Sequence, residues 1–155
     1  MKFISWRKVK SWKCISCGMC CHSYDICLEK DEYKKMCKKF GYEIFNYNKH
    51  PIKHLLKRRA SGSCIFLTTL EDKSKCEIHQ IKPIICKIFP FSISKSNNKD
   101  LSFCYKSNRY NIYLERNCKG IKLGSPSTEL IYETMPAIIN IWLKLQNFSS
   151  PIYFD

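Results

Sequence analysis

Cys14, Cys17, Cys20 and Cys21 fall within eight positions near the N-terminus, in C-I-S-C-G-M-C-C. Thiols this dense serve better as metal or cluster ligands than as packing groups, because the thiolate is a strong soft ligand while the buried thiol is only a small hydrophobe. The C-x2-C-x2-C spacing lets one turning loop present three sulfurs to a single centre, as in ferredoxin-type iron–sulfur sites. Its C-x2-C half equally suits tetrahedral zinc. The spacing therefore points to a thiolate metal site and leaves the metal open. Eleven cysteines stand in the 155 residues, the others being Cys27, Cys37, Cys64, Cys76, Cys86, Cys104 and Cys118.

Disulfides are the competing use of so many thiols. The N-terminal M-K-F-I-S-W-R-K-V-K-S-W-K has the basic residues of a secretion signal but no apolar run behind them. A reducing cytoplasm is the expected location, and metal binding is favoured there over disulfides. The count is odd, and neighbours such as Cys20 and Cys21 cannot readily bridge to each other. Twenty-seven Lys and Arg against thirteen Asp and Glu give a formal charge of +14. Two four-thiolate centres would each add about two negative charges, bringing the working charge to about +10. The longest apolar stretch, A-I-I-N-I-W-L, is too short to span a bilayer, so no membrane partner is expected.

A chain of this length, 45% hydrophobic and 14% aromatic, is expected to be one domain over 1–155 with a real core. The fold class expected is α+β, with short strands and several helices around the cysteines. Tyr33, Met36, Cys37 and Phe40, closed by Gly41, predict an amphipathic helix with Cys37 on its buried stripe. Pro51 to Ala60 reads as a short basic helix ended before Gly62. C-I-F-L-T-T reads as a strand, E-D-K-S-K as a turn, and Pro83 as the start of a short helix carrying Cys86 and broken at Pro90. F-S-I-S and L-S-F-C-Y read as a hairpin-like pair across S-N-N-K-D, with N-I-Y-L-E as a further strand. Ser125 and Pro126 should open a C-terminal helix over about 126–147. It lays Ile131, Met135, Ile138, Trp142 and Leu145 on one face and is kinked or split at Pro136.

Taken together, the cysteines form C-x2-C-G-x-C-C, then C-I-F-L, then C-E-I-H-Q-I-K-P-I-I-C-K-I-F-P-F, then Cys118 before Lys119 and Gly120. This resembles the YkgJ-type cysteine-cluster family of zinc- or iron-chelating domains over Cys14 to Cys118. Lys82 and Lys87 stand where that family usually has arginine, and His79 where it usually has tyrosine. The resemblance implies eight metal-binding cysteines: Cys14, Cys17, Cys20, Cys21, Cys64, Cys76, Cys86 and Cys118. Eight ligands fit two four-coordinate zinc sites, or one cubane plus a mononuclear site. Because adjacent side chains diverge in most backbones, Cys20 and Cys21 are expected to serve different centres or to leave one of them structural.

Other candidates have plainer readings. His22 reads as a surface residue or a neighbour of the ligands. His79 divides between a ligand or supporting hydrogen bond and ordinary packing. His50 and His54 are expected in solvent, while Trp6 and Trp12 either shield the site or fill the core.

Three functions fit these features. The first is an iron–sulfur protein, holding a 4Fe-4S cluster, with a redox or accessory role and a redox or protein partner. The second is a structural-zinc module that binds RNA or the ribosome through the basic segments Lys2 to Lys13 and Lys53 to Arg59. The third is a metal-dependent enzyme with an open coordination position, although Glu71, Asp72, Glu77 and Glu115 lie without catalytic spacing. No nucleotide-binding or hydrolase motif is present.

Overall fold

The computed structural model describes residues 2–47, 54–70, 73–96 and 102–146. Among them the architecture is α+β. The strands, all paired antiparallel, are β1 (Phe3–Ser5), β2 (Val9–Trp12), β3 (Leu67–Leu70), β4 (Lys73–Cys76), β5 (Phe91–Lys95), β6 (Phe103–Tyr105), β7 (Asn108–Glu115) and β8 (Ile121–Leu123). The α-helices are α1 (Met19–Ser23), α2 (Lys30–Phe40), α3 (Ile84–Ile88) and α4 (Met135–Gln146). The chain divides into two units, Ser16–Lys87 and a second made of Met1–Ile15 with Ile88–Asp155.

In the Ser16–Lys87 unit, α2 forms where its apolar stripe predicts. A capping box joins Glu29 and Glu32 at its start, and Gly41, at φ +82°, ends it. Met36 is buried on the predicted face. The helix expected over Pro51 to Ala60 does not form in the described part of that segment. Residues 54–58 instead run extended, with bridges Cys27↔Leu55, Phe45↔Leu56 and Arg58↔Cys64. Backbone bonds from Leu56 N–H to Ile26 O and from Lys57 N–H to Ile44 O satisfy the segment from both sides, and Leu55 and Leu56 are both buried. Long-range pairing has overridden local propensity here. Pro51, His50 and Lys53 lie outside the described residues.

The strand read at C-I-F-L-T-T begins only at Leu67, because Cys64 to Phe66 form a turn closed by Leu67 N–H on Cys64 O. Strands β3 and β4 pair in the register Leu67↔Cys76, while Glu71 and Asp72 lie outside the described residues. Helix α3 carries Cys86 as expected. Around these elements Ile26, Leu28, Met36, Phe45, Phe66, Leu67 and Ile78 make one apolar core, with Cys21 and Cys64 buried in it.

In the second unit, β7 is the central strand, flanked by β5 on one side and by β1 and β6 on the other. The expected pairing of the strands now named β5 and β6 is thereby corrected, since each pairs with β7. The reason lies at Lys106 and Ser107, whose φ values of +46° and +63° make the two-residue turn that joins β6 directly to β7. The expected hairpin turn, residues 97–100, lies outside the described residues.

Helix α4 packs on this sheet through Tyr110 against Trp142, with Leu130, Met135, Ile138, Ile139 and Leu145 buried. The helical run that leads into α4 is capped by Ser127 rather than Ser125: the Ser127 Oγ accepts the Leu130 N–H at 3.2 Å. Helical structure continues through Pro136, but the run changes from π-helix to α-helix at Met135, the residue before it. The preceding Leu130–Thr134 turn is a π-helix in which Met135 N–H reaches Leu130 O. That wider turn makes room for a ring that would otherwise meet the carbonyl four residues earlier. No helix of the described residues is long and apolar enough to cross a membrane.

Candidate metal centre

The eight cysteines divide between the units. Cys17, Cys20, Cys21, Cys64, Cys76 and Cys86 belong to Ser16–Lys87, and Cys14 and Cys118 to the other. In that other unit, β2 pairs with β8, and Lys13 N–H bonds Gly120 O at 3.1 Å. The ribbon thus brings the backbones of Cys14 and Cys118 to one end. Gly120 is required there: a Cβ at this position would stand 2.1 Å from the Lys13 carbonyl oxygen.

Four elements converge on the Ser16–Lys87 set. Helix α1 presents Cys20 and Cys21, and Gly18 starts it in the left-handed region at φ +75°. A Cβ on Gly18 would come within 3.0 Å of Ser74 in β4, so only glycine lets α1 seat against the hairpin. Strand β4 ends in Cys76, α3 supplies Cys86, and Cys64 N–H bonds Cys21 O at 2.8 Å, tying the turn at Cys64 to α1. The Cys20 and Cys21 sulfurs lie 3.9 Å apart. The expected divergence of these neighbours is therefore corrected, because a hydrogen bond draws the two sulfurs together. Two thiolates on one tetrahedral zinc, with Zn–S of about 2.3 Å, stand about 3.8 Å apart.

The thiols act on one another's ionisation. A hydrogen bond with Cys21 lowers Cys20 from 9.0 to about 7 against the opposing effect of burial. The same partner lowers Cys76 to about 6, helped by the Ile78 N–H and the positive charge of Lys82. Cys21 is pushed far up, because its proton serves both neighbours and it is buried. Burial raises Cys64, offset in part by the Phe66 N–H, and burial raises Cys86. Lys82, at the position where the resemblance expects arginine, is a cation acting on Cys20, Cys76 and Cys86.

Backbone N–H groups aimed at sulfur, a nearby cation and an apolar surround are what a buried set of thiolate ligands needs, so the donor set fits a soft divalent metal or an iron–sulfur cluster. Among the described residues no three His, Cys, Asp or Glu side chains yet stand close enough to one point to hold an ion. Ligation requires the thiols to turn out of their mutual hydrogen bonds.

His79 lies in the turn His79–Ile81 with its Nδ1 3.4 Å from Ser16 Oγ, which connects that turn to the cysteine loop. His22 is exposed on α1. His54 is not in solvent as expected: it stacks on Tyr33 with ring centroids 3.8 Å apart. Cys37 is half-buried on α2 and Cys104 exposed on β6. In the other unit, Trp6 packs edge-on against Phe103 and Trp12 against Phe91, so both fill the core.

Sequence reasoning missed the arginines. It placed Arg58 and Arg59 in a phosphate-binding segment, yet both guanidinium groups are turned onto backbone carbonyls of the Cys21 and Cys64 turns. No periodicity or motif marks an arginine for that use.

Comparison with known proteins supports the same assignment. Residues 13–119 match the CxxCxxCC family model, described as "Putative zinc- or iron-chelating domain". An uncharacterized protein of Methanocaldococcus jannaschii is 29% identical over an alignment of 132 residues that covers 77% of this chain and 63% of that protein. The chain thus spans less than two thirds of that relative's length. No solved structure matches significantly.

Proposed function

The chain belongs to the CxxCxxCC family, and from that premise we propose that it holds an iron–sulfur cluster on thiolates of its Ser16–Lys87 unit, in a redox or accessory role. The ligands are drawn from Cys17, Cys20, Cys21, Cys64, Cys76 and Cys86. Cys14 and Cys118 complete the eight cysteines of the family pattern.

One observation carries this reading. Five of the pattern's thiols lie in or against one apolar core of that unit, Cys21 and Cys64 buried in it and Cys20, Cys76 and Cys86 packed against it. Four thiolates are what a cubane takes, as a closed zinc does, and the C-x2-C-x2-C spacing of the first loop, which is that of ferredoxin-type sites, favours the cluster. Such a cluster would supply one-electron chemistry at a potential set by hydrogen bonds to sulfur and by exposure. The chain's own part is to hold the thiolates, keep water away with Phe66, Leu67 and Ile78, and offset negative charge with Lys82.

The test is metal content and visible absorption of protein purified without oxygen. Iron with matching acid-labile sulfide and a broad band near about 400 nm supports the reading. A colourless protein with stoichiometric zinc sinks it.

A closed zinc centre is the second reading, favoured by the 3.9 Å separation of the Cys20 and Cys21 sulfurs. The RNA-binding role attached to it loses Arg58 and Arg59, which are engaged with carbonyls, and keeps Arg7 and the lysines for phosphate contact. Binding to RNA that falls steeply with salt would restore that role.

A further inference from the structure

Arg58 sits at the junction of the two backbone turns that present Cys21 and Cys64. Its Nη1 donates to the carbonyl oxygens of Cys21 and His22, at 3.2 Å each, and to that of Gly62. Its Nη2 donates to Tyr24 O, and its Nε donates to Asp25 Oδ1 at 3.0 Å. Every nitrogen of the guanidinium is therefore used. The acceptors come from two stretches of chain, the end of α1 with the two residues beyond Ser23 and the turn before Cys64.

These contacts add to a backbone ladder already centred on the same residues. Arg58 bridges Cys64, Arg59 N–H bonds Ser63 O at 2.8 Å, and Cys64 N–H bonds Cys21 O at 2.8 Å. The Cys21 carbonyl thus accepts from Cys64 and from Arg58 together, and Cys21 is the thiol shared by Cys20 and Cys76.

Resting on the metal-centre reading above, we infer that Arg58 is a positioning residue that holds Cys21 and Cys64 in register for one metal centre. A planar fork with five donors can bond carbonyls lying in several directions around it. A lysine ammonium keeps the charge but has three donors on one atom and cannot span them. Loss of the fork leaves the hairpin, α2 and α3 with their own hydrogen bonds and frees the α1 end to shift against the Cys64 turn. The ligands would then be present but misplaced, a change that typically costs a metal site 10- to 100-fold in affinity.

Cobalt(II) added to the reduced, metal-free full-length chain is the probe, because its charge-transfer and ligand-field bands report the number and geometry of bound thiolates. R58K is expected to bind cobalt about 10- to 100-fold more weakly, with lower thiolate charge-transfer intensity per cobalt. Its metal-free far-ultraviolet circular dichroism should stay that of the parent. I139A, which weakens the other unit by packing loss alone, should keep the parent's cobalt spectrum. An R58K spectrum and affinity equal to the parent's would overturn the inference. So would an R58K chain that has lost its secondary structure, since Arg58 would then be a general folding residue. A parent protein that shows no thiolate–cobalt bands would overturn the metal-centre reading itself and this inference with it.

Discussion

Glu32 links helix capping to the seating of a candidate ligand, and its removal gives the most direct test of how α3 is held. One carboxylate oxygen accepts the Ile84 N–H at 2.7 Å, and the other accepts the Glu29 N–H at 3.3 Å. Glu32→Ala removes both. Loss of the capping-box contact at α2 costs about 1 kcal/mol. The Ile84 bond is charge-assisted and part-buried, so leaving that N–H without an acceptor costs about 1.5–3 kcal/mol. The sum is about 2.5–4 kcal/mol. With a urea slope of about 2 kcal/mol/M, the unfolding midpoint of the metal-free, reduced protein should fall by about 1–2 M. Because Ile84 is the first residue of α3, Cys86 should also react faster with a thiol reagent in the variant, well below the unfolding midpoint. Glu32→Gln keeps a neutral acceptor for one of the two donors and should fall between parent and Ala variant. A Glu32→Ala midpoint within about 0.3 M of the parent, with Cys86 reactivity unchanged, would refute the argument that this carboxylate seats the helix.

Other expected outcomes follow from single contacts. Gly120→Ala places a Cβ 2.1 Å from the Lys13 carbonyl oxygen, so the β2–β8 ribbon must open at that end. A loss of about 2 kcal/mol or more and faster amide exchange at Lys13 should result, and unchanged exchange there would count against the close approach. His54 is held below its ordinary value of 6.5 by burial, with Lys30 adding to the effect. The folded state thus binds its proton later than the unfolded chain does. This contribution is fully present above about pH 6.5 and is lost as pH falls through the lower folded value. Replacing His54 by Asn should flatten the stability profile between about pH 7 and 5 in urea titrations. Ile139→Ala, at a fully buried side chain of α4, should cost about 2–5 kcal/mol, whereas Tyr132→Ala, at a side chain 74% exposed, should stay within about 0.5 kcal/mol.

The sequence by itself determined the chemistry and the elements whose signals are local. The cysteine spacing marks thiolate ligation because the side-chain type and the turning loop suffice to define it. The stripe from Tyr33 to Phe40 with Gly41 gave α2 with its boundaries, since a 3.6-residue period and a stop residue need no distant partner. Pro83 likewise marked the start of the helix that carries Cys86.

Only the tertiary structure decided what depends on residues far apart in the chain. Residues 54–58 became extended because the segments around Ile26 and Ile44 satisfy their backbone on both sides, which no local window records. The partner of β5 was set by the tight turn at Lys106 and Ser107, which gives β6 to β7 and leaves β7's other edge open to β5. The Cys20 and Cys21 sulfurs came within 3.9 Å through a hydrogen bond between their side chains, which their adjacent places on α1 do not dictate. Arg58 and Arg59 read in sequence as free positive charge, because a guanidinium's partners here are carbonyl oxygens, and every residue carries one. Residue type thus fixes which groups can bind a metal or an anion, and three-dimensional hydrogen-bond accounting decides which of them are already engaged.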